Sequence, residues 1–134
     1  MNPPATPPGG ARNKNADAKS RGDHGEALAM DMLLRSGYTP VARGYRTRYG
    51  EIDLIVRDGR YIVFVEVKLR ASDAFAQARE FVSRSKQRKI KTTASIWLAS
   101  HETGLQPRFD VVEVYARAGD NAPPPQINHI ENAF

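Results

Sequence analysis

The chain has 134 residues, of which 40% are hydrophobic and 26% charged, so its length and composition are those of one soluble globular domain. It contains no cysteine, which excludes disulfides, thiolate zinc sites, iron–sulfur clusters and cysteine nucleophiles. Its formal charge of +5 favours polyanionic partners. We expect a cytoplasmic protein without membrane contact, because neither a membrane-length apolar run nor a secretory signal is found.

Two changes in composition divide the chain. Residues 1–20 are rich in proline and glycine and lack large apolar side chains beyond Met1, so a disordered, mildly basic tail is expected there. A second break at 118–125 precedes a short segment that is expected to add an edge strand or to pack on the domain surface. The folded domain is therefore predicted over residues 21–117, followed by a linker and C-terminal segment over 118–134.

The first predicted element is a helix over residues 23–36, and Gly37 is a natural C-terminal stop for it. The apolar residues that recur there at helical spacing are Ala27, Met30, Leu33 and Leu34. Extended stretches are predicted over 38–45, 51–57, 61–69 and 109–115, and an amphipathic helix over 83–100. This order predicts an α/β fold in which helices flank a mixed central β-sheet.

Charged residues lie inside the predicted hairpin of residues 51–69. If Asp58-Gly59 forms a two-residue turn, Asp53 lies opposite Phe64 and Glu51 opposite Glu66. All four side chains then share one face, because pairing preserves the face and side chains alternate along a strand.

Asp53 is in that register the diagonal neighbour of Glu66, at roughly 7 to 8 Å. Lys68 projects from the same face. Carboxylate oxygens that converge in this way suit a hard divalent cation, Mg²⁺ or Mn²⁺. The alternative is a salt-bridge ladder on a solvated face of the sheet, which is common in antiparallel pairs.

Glu26 lies on the predicted buried stripe of the first helix, at helical spacing from Met30 and Leu33. It is therefore expected to reach the sheet and to join the ion site directly or through water. The alternative is a first-turn glutamate that interacts with the helix dipole.

Basic residues flank the acidic strand on both sides. Five of the eight residues over 84–91 are basic, and arginine and tyrosine alternate over 43–49. A solvated basic face is the alternative interpretation. Basic flanks around a carboxylate centre nevertheless favour phosphodiester hydrolysis, because cations hold the backbone while an ion activates water.

The segments GEIDLI (50–55) and FVEVK (64–68), with Arg70, closely resemble the D...ExK core of the PD-(D/E)xK nuclease superfamily. In particular they resemble the small YraN-like bacterial family of predicted endonucleases, which is related to archaeal Holliday junction resolvases. Ile52 stands where the superfamily often has a proline. The likeness covers residues 25–134 and continues through Gly25-Glu26, Gly37-Tyr38, Lys86, Ile90, RFDVV (108–112) and NAF (132–134).

This resemblance implies a restriction-endonuclease-like core and a nuclease-like domain that binds Mg²⁺ or Mn²⁺. Asp53 and Glu66 would be metal ligands with the Val67 carbonyl, Lys68 the catalytic lysine, and Glu26 the helix-borne acidic residue of the site. Glu51 and Lys86 would have supporting roles. The residues expected to contact nucleic acid are Arg43, Tyr45, Arg46, Arg48, Arg70, Arg84, Lys86 and Arg88.

We therefore predict a divalent-metal-dependent endonuclease that hydrolyses phosphodiester bonds in DNA, with branched or structured DNA among its substrates. By analogy with resolvases, a homodimer would match the symmetry of a four-way junction. A non-catalytic nucleic-acid-binding module with a nuclease fold is the alternative, and an RNA-associated factor would use the same basic surface.

Overall fold

A computed structural model describes residues 14–70, 82–116 and 121–134. Its elements are α1 (Lys14–Arg35), β1 (Thr39–Thr47), β2 (Gly50–Arg57), β3 (Tyr61–Arg70), α2 (Arg84–Ser100), β4 (Gln106–Tyr115) and β5 (Gln126–Ile130). The five strands form one sheet in the order β1-β2-β3-β4-β5, in which only β3 and β4 run parallel. The predicted α/β fold with a mixed sheet flanked by helices is confirmed. No helix in the described ranges is long and apolar enough to cross a membrane.

The core is divided between the two faces of the sheet. Along β3, Val63 and Val65 pack toward α1, whereas Ile62 and Phe64 pack toward α2. Because β3 is covered on both faces, its sequence is a continuous apolar run rather than an alternating one. The α1 side is completed by Ala29, Leu33, Leu54, Val56, Val112 and Val114, and the α2 side by Ile52, Ile55, Val82, Ile90, Ala94, Trp97 and Val111.

α1 begins earlier than predicted. It starts at Lys14, so residues 14–20, predicted as part of a disordered tail, are helical, while residues 1–13 lie outside the described part of the chain. The segment 14–20 contains no proline and several good helix formers, so it extends the helix that packing on the sheet stabilises.

The buried stripe of α1 also differs from the prediction. Ala27 and Leu34 are exposed. Gly25, Ala29 and Leu33, four residues apart, form the buried line instead. A Cβ at Gly25 would lie 3.5 Å from Leu69 Cδ1, so the helix approaches β3 closely at its smallest residue.

The predicted hairpin register is wrong by two residues. Arg57 pairs with Ile62 instead of Arg60, and Ile55 pairs with Phe64. Neither Asp58 nor Gly59 adopts the positive φ that a two-residue type I′ turn requires. The Asp58 carboxylate instead accepts the backbone N–H groups of Arg60 and Tyr61, at 2.8 and 2.7 Å, and forms a longer turn.

The C-terminal segment is held by a buried carboxylate. Asp110 receives two hydrogen bonds from the Arg108 guanidinium, at 2.9 and 2.8 Å, and lies 2.7 Å from His129 Nε2. The backbone N–H of Asn132 donates to it at 3.0 Å. Burial alone would raise the pKa of Asp110, but these hydrogen bonds lower it, so the carboxylate is ionised. The segment after 118–125 therefore contributes an edge strand, β5, and packs on the domain.

We expect Asp110→Ala to lower the free energy of unfolding by about 3 kcal/mol or more, because the buried Arg108 would lose the carboxylate to which it donates two hydrogen bonds. Urea unfolding followed by circular dichroism measures this. The matched control is Asp31→Ala, which removes an exposed ion pair with Arg35 and should change stability by less than about 1 kcal/mol. Equal effects of the two substitutions would contradict the anchoring role of Asp110.

Candidate active site

The site lies where β2 and β3 stop pairing with each other. Their ladder ends at Leu54–Val65, although β2 continues along β1 to Gly50 and β3 continues along β4 to Arg70. The Asp53 side chain replaces the missing backbone partner, since its Oδ2 accepts the Val67 N–H at 2.8 Å. Beyond Leu54 and Val65 the two strands therefore separate, and Asp53 lies between them. We call this region the fork.

A cavity of about 360 Å³ lies at this fork, beside the start of α2. Glu51, Asp53 and Glu66 are its acidic lining, as their predicted common face requires. A register shift of two residues leaves every side chain on its original face, so this prediction holds despite the wrong pairing. The complete lining is Gly50, Glu51, Asp53, Glu66, Ser83, Ser85, Lys86, Lys89 and Ile90.

Two carboxylates repel each other in this cavity. Glu66 is only 4% exposed. Burial, and next the negative charge of Glu66, raise the pKa of Asp53 to about 7, whereas the Val67 N–H lowers it. Glu26 and Glu51 raise it further. Within the described structure, the negative charge of an ionised Asp53 is therefore not balanced by the Val67 N–H alone.

Two lysines contact the Glu66 carboxylate. Lys68 Nζ lies 3.9 Å from Glu66 Oε1, and Lys86 Nζ contacts the same oxygen. Burial lowers the pKa of Lys86, but its hydrogen bond to Glu66 and the charges of Glu66 and Asp53 outweigh burial and raise it. Both ammonium groups therefore lie beside the Glu66 carboxylate.

The donor atoms present fit a hard divalent cation. Within the described ranges no three His, Asp or Glu side chains form a metal-binding group, but the carboxylates of Asp53 and Glu66 both line this cavity and offer oxygen donors. N–H and C=O of one residue face the same edge of an extended strand, so the Val67 carbonyl lies on the edge that faces Asp53. Mg²⁺ is commonly bound by one or two carboxylates while it keeps several waters.

The structure pairs Glu26 with a cation outside the cavity. Arg43 Nε lies 3.5 Å from Glu26 Oε2, and Arg43 also donates to the Asp23 carbonyl at 2.9 Å. Burial raises the pKa of Glu26 against the opposing effect of Arg43. Glu26 does not line the cavity, although its charge acts on Asp53.

Most of the predicted nucleic-acid contacts are exposed, but Arg43, Arg46 and Lys86 are also ion-paired with acidic residues. Arg46 and Arg48 on the β1–β2 hairpin are exposed, as are Arg84, Lys86 and Arg88 on α2. Tyr45 is half-buried against the α2-side core. Arg70 is mostly buried, with its Nε 2.7 Å from Glu113 Oε2, and Arg43 binds Glu26.

Three cavity residues were not predicted from the sequence. Ser83 is the N-cap of α2, where its side chain accepts the Lys86 N–H at 3.1 Å. Ser85 and Lys89 line the cavity beside it. Lys89 follows Lys86 by three residues and so shares its side of the helix, which is the sequence signal that would have found it.

The fold and the site define a small α/β protein with a carboxylate–lysine cluster where two strands of a mixed sheet separate. Residues 25–114 match the family described as "Uncharacterised protein family UPF0102". A UPF0102 protein of Geotalea uraniireducens is 45% identical over 120 residues, covering 89% of this chain and 92% of that protein. One of Thermodesulfovibrio yellowstonii is 40% identical over 113 residues, covering 84% and 94%. The chain belongs to the UPF0102 family, which is the YraN-like family that its motifs resemble.

We expect Asp53→Asn to stabilise the metal-free protein at pH 8 by about 1 to 3 kcal/mol. The pKa of Asp53 is raised from 3.8 to about 7, so ionisation opposes folding above pH 7 and the penalty disappears as pH falls below 3.8. The two proteins should therefore converge in stability toward that pH. Urea unfolding in EDTA measures both conditions.

The matched control is Glu51→Gln, which lies in the same cavity but pairs with Arg46 at 3.1 Å and is 38% exposed. It should change stability by less than about 1 kcal/mol at either pH. A less stable Asp53→Asn protein at pH 8 would indicate a satisfied salt-bridge ladder instead of a strained site.

Proposed function

We propose that this protein is a divalent-metal-dependent endonuclease that hydrolyses phosphodiester bonds in DNA. The restriction-endonuclease-like core and the residue roles implied by its PD-(D/E)xK motif are part of this proposal. The observation that carries it is the juxtaposition of Asp53 and Glu66 in a cavity that lysines border. A binding module for a polyanion has no need of facing carboxylates, since they repel phosphate.

Other buried acids of the domain support this interpretation by contrast. Glu113 is 1% exposed and accepts hydrogen bonds from Arg70, Tyr115 and Asn128, at 2.7, 3.1 and 2.9 Å. Despite burial, these donors lower its pKa, as hydrogen bonds from His129, Arg108 and the Asn132 backbone do for Asp110. The pKa of Asp53 is raised instead. A perturbed carboxylate beside an open cavity is typical of a functional site.

The motif that this chain resembles implies a role for each group of the cluster. Asp53 and Glu66, with the Val67 carbonyl, would hold the ion, whereas Lys68 would orient the attacking water or neutralise charge that develops on the phosphate. Bound Mg²⁺ or Mn²⁺ would polarise the scissile phosphate and lower the pKa of a coordinated water. The Lys68 side chain is 29% exposed, so it is not sealed in the core.

The start of α2 would hold the phosphate backbone. Ser83 and Ser85 line the cavity in and before the first turn, where helix N–H groups and the helix dipole favour anions. Lys86 and Lys89 line the same wall, and Arg84 and Arg88 are exposed nearby on α2. Cations therefore follow one side of the carboxylate pair, as a bound strand requires.

We expect the wild-type protein to cut at least one member of a panel of linear, flapped and four-way DNA when Mg²⁺ or Mn²⁺ is present. Asp53→Ala should lose metal binding in calorimetric titration and lower cleavage by roughly 100-fold or more. Lys68→Met should lower cleavage similarly while metal binding persists, because an ammonium is not a metal ligand. Matched single strands of RNA and DNA in the same assay separate the two nucleic acids.

The control variant is Glu102→Ala, an exposed carboxylate that does not line the cavity. It should leave metal binding and cleavage unchanged. Metal-dependent cutting that survives in Asp53→Ala would overturn the assignment. Salt-sensitive DNA binding without cleavage, and without metal binding by the wild type, would favour the non-catalytic binding module.

A further inference from the structure

An aromatic residue stands exposed at the tip of the β1–β2 hairpin. Tyr49 is 44% exposed, and the Arg48 guanidinium carbon lies 4.7 Å from its ring centroid. Arg48 also donates a hydrogen bond to the Tyr49 hydroxyl. The pair therefore presents an aromatic ring with a guanidinium against it to solvent, whereas Tyr45, on the same hairpin, packs into the core.

The backbone of this tip is fixed. The Tyr49 N–H donates to Thr47 Oγ1 at 3.1 Å, and Thr47 Oγ1 lies 3.4 Å from Thr93 Oγ1 on α2. A Cβ at Gly50 would lie 3.2 Å from Thr93 Oγ1 and 3.3 Å from Lys89 Cβ, so the hairpin is seated closely on α2. The ring is consequently presented without a large ordering cost when a ligand binds.

The tip also adjoins the proposed cutting site. Gly50 and Glu51, which follow Tyr49 directly, line the cavity with Asp53. Lys89, which Gly50 approaches, lines it as well. An exposed aromatic ring bordered by cations is the arrangement on which unpaired bases stack while their phosphates are held. Inside a duplex the bases are already stacked on each other and offer no free face.

We propose that Tyr49 and Arg48 form a stacking platform for an unpaired base, so that the site acts on DNA with unpaired nucleotides beside the scissile phosphate. This inference rests on the proposed nuclease function. Tyr49 and Arg48 at the hairpin tip would then select the substrate, and hydrolysis would take place at the fork. Tyr49 is a binding residue in this account, and the reacting atoms lie at Asp53, Glu66 and Lys68.

Metal-free binding tests the platform separately from cleavage. Fluorescence anisotropy in EDTA would compare a labelled single strand, the blunt duplex of the same strand, and that duplex with an unpaired bulge. Tyr49→Ala should weaken binding of the single strand and the bulged duplex by roughly 5- to 150-fold, and of the blunt duplex by less than about twofold. Tyr49→Phe, which keeps the ring, should stay within about threefold of wild type on all three.

Arg60→Ala is a charge control, because Arg60 lies in the β2–β3 turn, at the other end of β2 from Tyr49. Like Arg48 it lies near a tyrosine, with its guanidinium carbon 5.9 Å from the Tyr61 ring centroid. This substitution should alter no affinity by more than about twofold. An equal loss on all three DNAs in Tyr49→Ala, or no loss, would overturn the platform even if the wild type cuts DNA. Tyrosine-dependent binding without cleavage would overturn only the proposed hydrolysis.

Discussion

The hydrogen bond from the Val67 N–H to the Asp53 carboxylate determines the form of the site. A backbone donor at this place in a sheet is ordinarily satisfied by the neighbouring strand. Here a side chain accepts it, so β2 and β3 can separate without leaving the N–H unpaired in a half-buried position. Separation opens the cavity that Asp53 and Glu66 line, and it leaves the Val67 carbonyl on the edge that faces Asp53. The arrangement of the proposed metal ligands therefore depends on this one hydrogen bond.

The rest of the fold stabilises this fork. β2 keeps its pairing with β1 and β3 keeps its parallel pairing with β4, so each side of the fork is still held by a complete ladder. Apolar layers on both faces bury β3 as far as Val65. Repulsion between two buried carboxylates lowers stability, and the fully paired acids Asp110 and Glu113 show what satisfied burial looks like in the same domain. In the described part of the chain, the carboxylate whose pKa is raised to about 7 is one that we propose to bind the metal.

The sequence was sufficient for the fold class and for the common face of the acidic residues. Side-chain alternation has a period of two, so the error of two residues in the hairpin register preserved the face of Asp53 and Glu66. The turn itself was not predictable from Asp58-Gly59 alone, because Asp58 uses its side chain to bind the backbone. The sequence predicted that Lys68 shares a face with Glu66, but it did not predict the contact between Lys86 and Glu66 that the structure shows.

Ion pairs between residues far apart in the chain could not be predicted from residue spacing. Nothing in the spacing shows that Arg70 pairs with Glu113, 43 residues away, or that Arg43 on β1 pairs with Glu26 on α1. Likewise, the motif residues Asp110 and Asn132 carry family resemblance, yet the structure shows them joining the C-terminal segment to β4. Similar charges along a strand can therefore belong to a reactive cluster or to a structural network, and only their partners distinguish the two.

Anomalous diffraction from crystals soaked in Mn²⁺ would test the central claim most directly. We predict one strong anomalous peak in the fork, from a manganese ion coordinated by oxygens of Asp53 and Glu66 and by the Val67 carbonyl. Lys86 should be displaced from Glu66. A soaked crystal in which Lys86 stays on Glu66 and no manganese occupies the fork would contradict this prediction. The carboxylates would then be structural, and the protein would not be a metal-dependent nuclease.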